Sequence, residues 1–153
     1  MKISELLDDG LIIEDLRAGT KQEVLVEFAE LLFNAGAVGD RDALVKVLTA
    51  REGLGSTGIG DGVAIPHGKV KGLKNMVAAF GRSLRGVDFD SLDGEPARLF
   101  FLLLAPEDAP GEHLKSLARV SRLMKNAELR SRIMKAAGRD DILRLITQEE
   151  DGR

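Results

Sequence analysis

The chain has 153 residues, with 22 Lys and Arg against 25 Asp and Glu, a formal net charge of -3, two histidines and no cysteine. A chain of this length buries a core without covalent staples; the missing thiol excludes disulfide frameworks, thiolate zinc sites, iron–sulfur clusters and cysteine nucleophiles. At 44% hydrophobic and 31% charged residues the composition is globular rather than disordered, and the longest apolar run, Leu99 to Ala105, falls far short of the roughly 20 residues of a membrane span. The opening residues Met1-Lys2-Ile3-Ser4-Glu5 do not read as a signal peptide, because acidic residues follow at once. One domain over 1–153, cytoplasmic and without membrane insertion, is the expectation.

Taken in chain order, Ser4 to Leu7 suggests a short turn and Leu11 to Ile13 a short strand. Thr20-Lys21-Gln22-Glu23 fits a capping box, with Thr20 as N-cap and Glu23 reaching back. Val24, Leu25, Phe28, Ala29, Leu31 and Leu32 then share one helical stripe, and Gly36 supplies the left-handed stop. A second helix is expected from Asp40 through Leu44, Val47 and Leu48, ending before Gly53. Glycines at 53, 55, 58, 60 and 62 exclude a regular helix there. Val63-Ala64-Ile65 reads as a short strand cut off at Pro66, with a cis-capable or kinked Ile65-Pro66 bond. Met76 to Leu84 and Leu99 to Leu104 read as buried strands, separated by a turn at Gly94-Glu95-Pro96. Pro110 suits the first turn of a helix, whose apolar residues would be Leu114, Leu117, Ala118, Val120, Ser121 and Met124. Ala127–Ala136 and Asp140–Ile146 complete the set as two short helices. Helices and strands in mixed order predict an α/β sandwich.

Charge is uneven. Residues 1–50 hold ten acidic and five basic groups, whereas residues 115–144 hold nine basic and three acidic ones. The simplest reading is two solvated helical faces. A nucleic-acid partner is not expected, because the chain is acidic overall and no aromatic side chain interleaves the basic residues.

Two motifs are decoys. Gly53-Leu54-Gly55-Ser56-Thr57-Gly58 spells a dinucleotide fingerprint, but that fingerprint must follow a strand and open a helix. Here it follows a helix. Gly62 to Lys69 approaches a P-loop, but its glycines are one residue too far apart and Val70 stands where Ser or Thr must ligate Mg²⁺.

His67 remains. Proline before it restricts the backbone, and Gly68 after it gives clearance on the far side. A lone histidine of this kind is most often a satisfied turn residue, but the surroundings argue for chemistry. Arg51, Ser56 and Thr57 lie just upstream, in a glycine-rich loop whose backbone N–H groups are available to an anion. His113 falls in the first turn of the predicted helix, where the dipole favours an anion over an imidazolium. Two histidines, an arginine, two hydroxyls and a glycine loop make a coherent phosphate site. They provide neither a metal cluster nor a carboxylate pair.

The run Ser56-Thr57-Gly58-Ile59-Gly60-Asp61-Gly62-Val63-Ala64-Ile65-Pro66-His67-Gly68-Lys69 strongly resembles the active-site signature of enzyme IIA, fructose/mannitol type, of the bacterial phosphoenolpyruvate-dependent phosphotransferase system. The resemblance reaches back to Arg51-Glu52 and forward to Gly111-Glu112-His113-Leu114. It implies a mixed β-sheet with helices on both faces, and a phosphotransferase component that needs no cofactor or metal. It further implies that His67 accepts a phosphoryl group from an HPr-type phosphocarrier, on Nε2. By the same resemblance His113 is the second active-site histidine, Arg51 binds phosphate, and Ser56 and Thr57 are loop hydroxyls beside it. The sequence style around Leu11-Ile12 and Gly58 to Gly62 leans to the nitrogen-regulatory branch, with regulatory target proteins. The alternatives are a sugar-transport IIA that feeds a separate IIB domain, and a IIA-like binding module without phosphate acceptance. Asp61, Glu107, Asp108 and Glu112 are expected to meet a basic patch on the phosphocarrier.

Overall fold

The computed structural model describes residues 2–152, so Met1 and Arg153, the ends of the expected 1–153 unit, lie outside the described residues. Two short 3-10 turns, Ile3–Leu6 and Asp9–Leu11, lead into β1 (Ile12–Ile13). Then come α1 (Lys21–Asn34), α2 (Arg41–Gly53), β2 (Gly58–Gly60), β3 (Val63–Ala64), β4 (His67–Val70), β5 (Val77–Val87) and β6 (Ala97–Pro106). Three helices close the chain: α3 (Pro110–Met124), α4 (Ala127–Lys135) and α5 (Arg139–Glu150). No helix among the described residues is long and apolar enough to cross a membrane.

The caps follow the sequence rules. Thr20 accepts a hydrogen bond from the Glu23 N–H while the Glu23 carboxylate takes the Thr20 N–H, closing the capping box that starts α1. Gly36, at φ +76°, lets the chain leave it. Asp40 caps α2 by accepting from Ala43 N–H at 3.0 Å. Pro110 occupies the first turn of α3, where its missing N–H costs nothing.

The sheet has six strands in the order β1-β5-β6-β3-β2, with β4 also paired to β6. It is mixed: β1 runs parallel to β5, β5 antiparallel to β6, and both β3 and β4 parallel to β6. Strand β6 is central, and its alternation builds both halves of the core. Leu99, Phe101 and Leu103 pack with α3, α4, α5 and the first 3-10 turn. Phe100, Leu102 and Leu104 pack with α1 and α2 on the opposite face. Both faces are covered, so β6 reads as an unbroken apolar run. Each of its large side chains contributes about 1.5–3 kcal/mol by leaving water. The expected sandwich, a mixed sheet with helices on both faces, is the observed fold.

Several local expectations change. The glycine-rich segment is not all loop, because Gly58–Gly60 pairs antiparallel with Val63–Ala64 across a two-residue Asp61-Gly62 turn. Positive φ at both, +58° and +77°, is what a primed hairpin turn requires, and Asp-Gly supplies it. The Ile65-Pro66 bond is trans, as is every peptide bond among the described residues. Proline therefore acts here by interrupting the strand, dividing one edge of the sheet into β3 and β4.

The buried stripe of α3 is also rotated from the expected one. His113, Ser116, Val120, Leu123 and Met124 face inward, whereas Leu114 is 69% exposed. A histidine takes the inward seat that hydropathy assigned to leucine.

Candidate functional site

His67 opens β4, in register with Leu103 of β6. Parallel neighbours in register point to the same face, so His67 faces α3 while Gly68 faces α2. The clearance expected at Gly68 is real: a Cβ there would lie 2.5 Å from Cγ1 of Val47 on α2. Glycine lets α2 pack directly against the strand that carries His67.

The break at Pro66 orients the ring. With no ladder partner, the Ile65 carbonyl sits 2.8 Å from Nδ1 of His67. A carbonyl only accepts, so Nδ1 carries the proton and Nε2 keeps its lone pair. The Arg51 guanidinium, at the end of α2, donates from Nε to that lone pair at 3.2 Å. Its Nη1 is anchored 2.9 Å from the Gly55 carbonyl.

His113 comes from the first turns of α3. Its ring meets that of His67 edge-on, with centroids 5.4 Å apart and planes at 68°. Its Nδ1 is buried and has no hydrogen-bond partner. Burial pushes the pKa of His67 below the ordinary 6.5. The Ile65 hydrogen bond opposes that shift, the Arg51 charge adds to it and the Glu52 charge opposes it. Burial likewise lowers His113, followed by the charges of His67 and Lys69. Both shifts favour the neutral imidazole.

Arg51, His67 and His113 come together as expected. Ser56 and Thr57 are near in sequence, but their hydroxyls are engaged elsewhere. Ser56 Oγ donates to the Phe89 carbonyl at 2.5 Å and accepts from Gly58 N–H at 3.0 Å. Thr57 is buried, and its hydroxyl donates to the Glu52 carboxylate. The loop N–H groups differ from expectation too: Leu54, Gly55, Thr57 and Gly58 all donate within the protein. Short-range ties to α2 and to the Phe89 segment consume donors that a glycine count alone left free. The basic residues of 115–144 lie on α3 to α5 and the connections between them, where Arg132 and Arg144 pair with Glu128 and Asp141 on their own helices.

Glu52 entered the sequence reading only as the neighbour of Arg51 in the resemblance, with no role. Its carboxylate accepts from Thr57 N–H at 3.1 Å and from the Thr57 hydroxyl, and it pairs with Lys21 Nζ at 2.8 Å.

A trans-proline break thus brings one imidazole against a second and under a guanidinium. Comparison with known proteins decides the family. Residues 5–149 match the family described as "Phosphoenolpyruvate-dependent sugar phosphotransferase system, EIIA 2". The chain belongs to that family.

Its EIIA relatives fall into two kinds. It is 41% identical to the fructose-specific EIIABC component of Bacillus subtilis (strain 168) over 98% of its own length, but spans only 24% of that protein. It is also 41% identical to a nitrogen regulatory protein of Bradyrhizobium diazoefficiens, over 87% of this chain and 86% of the relative. Among solved structures, nitrogen regulatory protein IIA-Ntr from Neisseria meningitidis superposes with a TM-score of 0.88 at 36% identity, covering 94% of this chain and 98% of that one. The mannitol IIA of Escherichia coli, at 24% identity and a TM-score of 0.78 over 92% of this EIIA chain and 98% of that one, shares the fold.

Proposed function

We propose that this EIIA chain is a phosphohistidine carrier: it accepts a phosphoryl group on Nε2 of His67 from an HPr-type phosphocarrier and passes it on or displays it. The observation that carries the reading is the tautomer. With Nδ1–H bound to the Ile65 carbonyl, the one lone pair of the ring lies on Nε2, beneath the Arg51 guanidinium.

The step follows from that geometry. The Nε2 lone pair attacks phosphorus, and the N–P bond of the donor phosphohistidine breaks with its electron pair returning to the donor imidazole. His67 keeps its Nδ1 proton throughout, and the Ile65 carbonyl stabilises the positive character the ring gains. Phosphoryl transfer asks the protein mainly to position and to screen charge. Arg51 must leave Nε2 as phosphorus approaches, and its fork then matches phosphoryl oxygens. His113, neutral and edge-on, serves the phosphoryl group or steadies the His67 ring. Ser56 and Thr57 act through the shape of the loop. No metal or cofactor is called for.

Leu54 and Leu114, 86% and 69% exposed, follow Arg51 and His113 closely in sequence, and they offer apolar contact to a docking carrier. The nitrogen-regulatory branch, with a partner whose binding depends on phosphorylation, is the first reading, supported by the 0.88 TM-score to IIA-Ntr at 36% identity. The equal 41% identity to a fructose-specific component supports a second: transfer to a phosphocysteine on a separate IIB domain. That cysteine must lie on another chain or domain, because this sequence has none.

The test is intact mass after incubation with phosphoenolpyruvate, enzyme I and HPr. One added phosphoryl group, lost in acid and absent in His67→Ala, is expected. Full acceptance by His67→Ala contradicts the assignment. Adding a fructose-type IIB then separates the branches, since only the sugar-transport reading expects discharge onto it.

A further inference from the structure

Arg51 can serve Nε2 of His67 only if something fixes its guanidinium, and the structure shows what does. Its anchor is the Gly55 carbonyl, which belongs to the four-residue loop between α2 and β2. Glu52 ties the far end of that loop back to α2 through the Thr57 N–H and hydroxyl. The carboxylate, only 6% exposed, is held in turn by Lys21 Nζ at 2.8 Å. Lys21 is the first residue of α1 and also lies 4.9 Å over the Phe89 ring. The Phe89 carbonyl receives the Ser56 hydroxyl. A chain of contacts thus runs from α1 through Lys21, Glu52 and Thr57 to the loop that carries the Arg51 anchor.

We propose that Glu52 is a positioning residue of the phosphoryl site: its buried carboxylate, clamped between Lys21 and Thr57, sets the loop whose Gly55 carbonyl holds Arg51 against Nε2 of His67. The proposal rests on the phosphohistidine reading. It gives Glu52 no contact with the reacting atoms. It also explains why a buried, paired carboxylate stands next to the arginine at the end of α2: an apolar residue there would hold neither Lys21 nor Thr57, and a neutral amide would lose the ion pair with Lys21. Glu52 has a second effect through space, since its charge favours the protonated ring. The other charged or titratable groups around the two rings are Arg51 on α2, His113 on α3 and Lys69 on β4.

The test uses the full unphosphorylated chain, labelled with ¹⁵N, as Glu52→Gln and Thr57→Val. The Arg51 Nε–H, protected by its bond to His67, is expected to exchange with water about ten-fold faster in both variants, a loss of roughly 1.4 kcal/mol of protection. The His67 titration midpoint is expected to fall in Glu52→Gln, because a charge favouring the imidazolium is gone, and not to fall in Thr57→Val, which keeps that charge. In transfer assays both variants lose kcat, with the KM for the phosphocarrier nearly unchanged. Wild-type exchange of the Arg51 Nε–H in both variants overturns the proposal, as does wild-type exchange in Thr57→Val alone should Glu52→Gln not fold. The exchange and titration readouts need no phosphate. A wild-type chain that never accepts a phosphoryl group would therefore sink the function reading and leave this test standing.

Discussion

At the scale of single residues, the proposed chemistry asks His67 to act as a neutral ring that offers one lone pair to a donor. The direction of its pKa shift sets the pH dependence. Burial and Arg51 lower it, so the nucleophilic form persists below the ordinary value of 6.5 as pH falls. Removing the guanidinium in Arg51→Ala removes one of the lowering influences. The acid limb of phosphoryl acceptance then moves to higher pH, and the rate at neutral pH falls by about 10²-fold through lost charge screening. A pH–rate profile of the two proteins checks both. For His113→Ala the expectation is a retained fold and slower transfer; unchanged rates in both directions would remove His113 from the site. That His67, Arg51 and His113 come together was legible in the sequence, because a proline, a glycine and the first turn of a helix flank them. The partners of Ser56 and Thr57 were not. Local spacing places a hydroxyl near an arginine, but its acceptor, the Phe89 carbonyl or the Glu52 carboxylate, is decided by how α2 and the 88–91 segment close on the loop.

Secondary-structure elements deliver these residues. The Pro66 break and the packing of α2 on β4 fix where His67 stands, so Gly68 is the position where backbone space matters most. Gly68→Ala puts a methyl 2.5 Å from Val47. It is expected to cost about 1–3 kcal/mol by overpacking, read as a lower urea midpoint, and to slow transfer as β4 shifts. Arg82 is a second fixed point, 4% exposed on β5 and without a carboxylate partner among the described residues. Its guanidinium donates to the carbonyls of Glu14, Ile133 and Ala136, which ties the segment after β1 and the end of α4 to β5. Arg82→Ala leaves those acceptors short and should destabilise by about 3 kcal/mol, with phosphoryl acceptance retained where the chain is folded. Helices α1 and α2 were legible here because their caps are local. The β2–β3 hairpin was written in Asp61-Gly62, the strongest short hairpin signal there is, but the neighbouring glycines masked it. The seat of Leu114 was not legible at all: hydropathy orders leucine inward, and only the meeting of α3 with β4 gives that place to His113.

For the molecule as a whole, the site lies where the two layers meet at one end of the sheet. The α1–α2 layer supplies Arg51, the α3–α5 layer supplies His113, and the sheet supplies His67. Neither layer alone makes the site, so partial unfolding of either is expected to abolish transfer. Both histidines have lowered pKa values, so the unfolded chain binds more protons as pH falls below 6.5. Stability is therefore expected to decline from there downward and to be flat above it, which a series of thermal melts would show. Asp61, Glu107, Asp108 and Glu112 are exposed and are the acidic groups expected to meet a basic carrier. Transfer from a basic carrier should slow as salt rises from low to physiological strength, and a salt-independent rate would argue against steering. The central claim is the identity of one atom. A long-range ¹H–¹⁵N spectrum of the phosphorylated chain reads it directly: phosphorus coupling at Nε2 of His67, with Nδ1 still protonated, is the predicted result. Phosphorus on Nδ1, or on His113, would contradict the account.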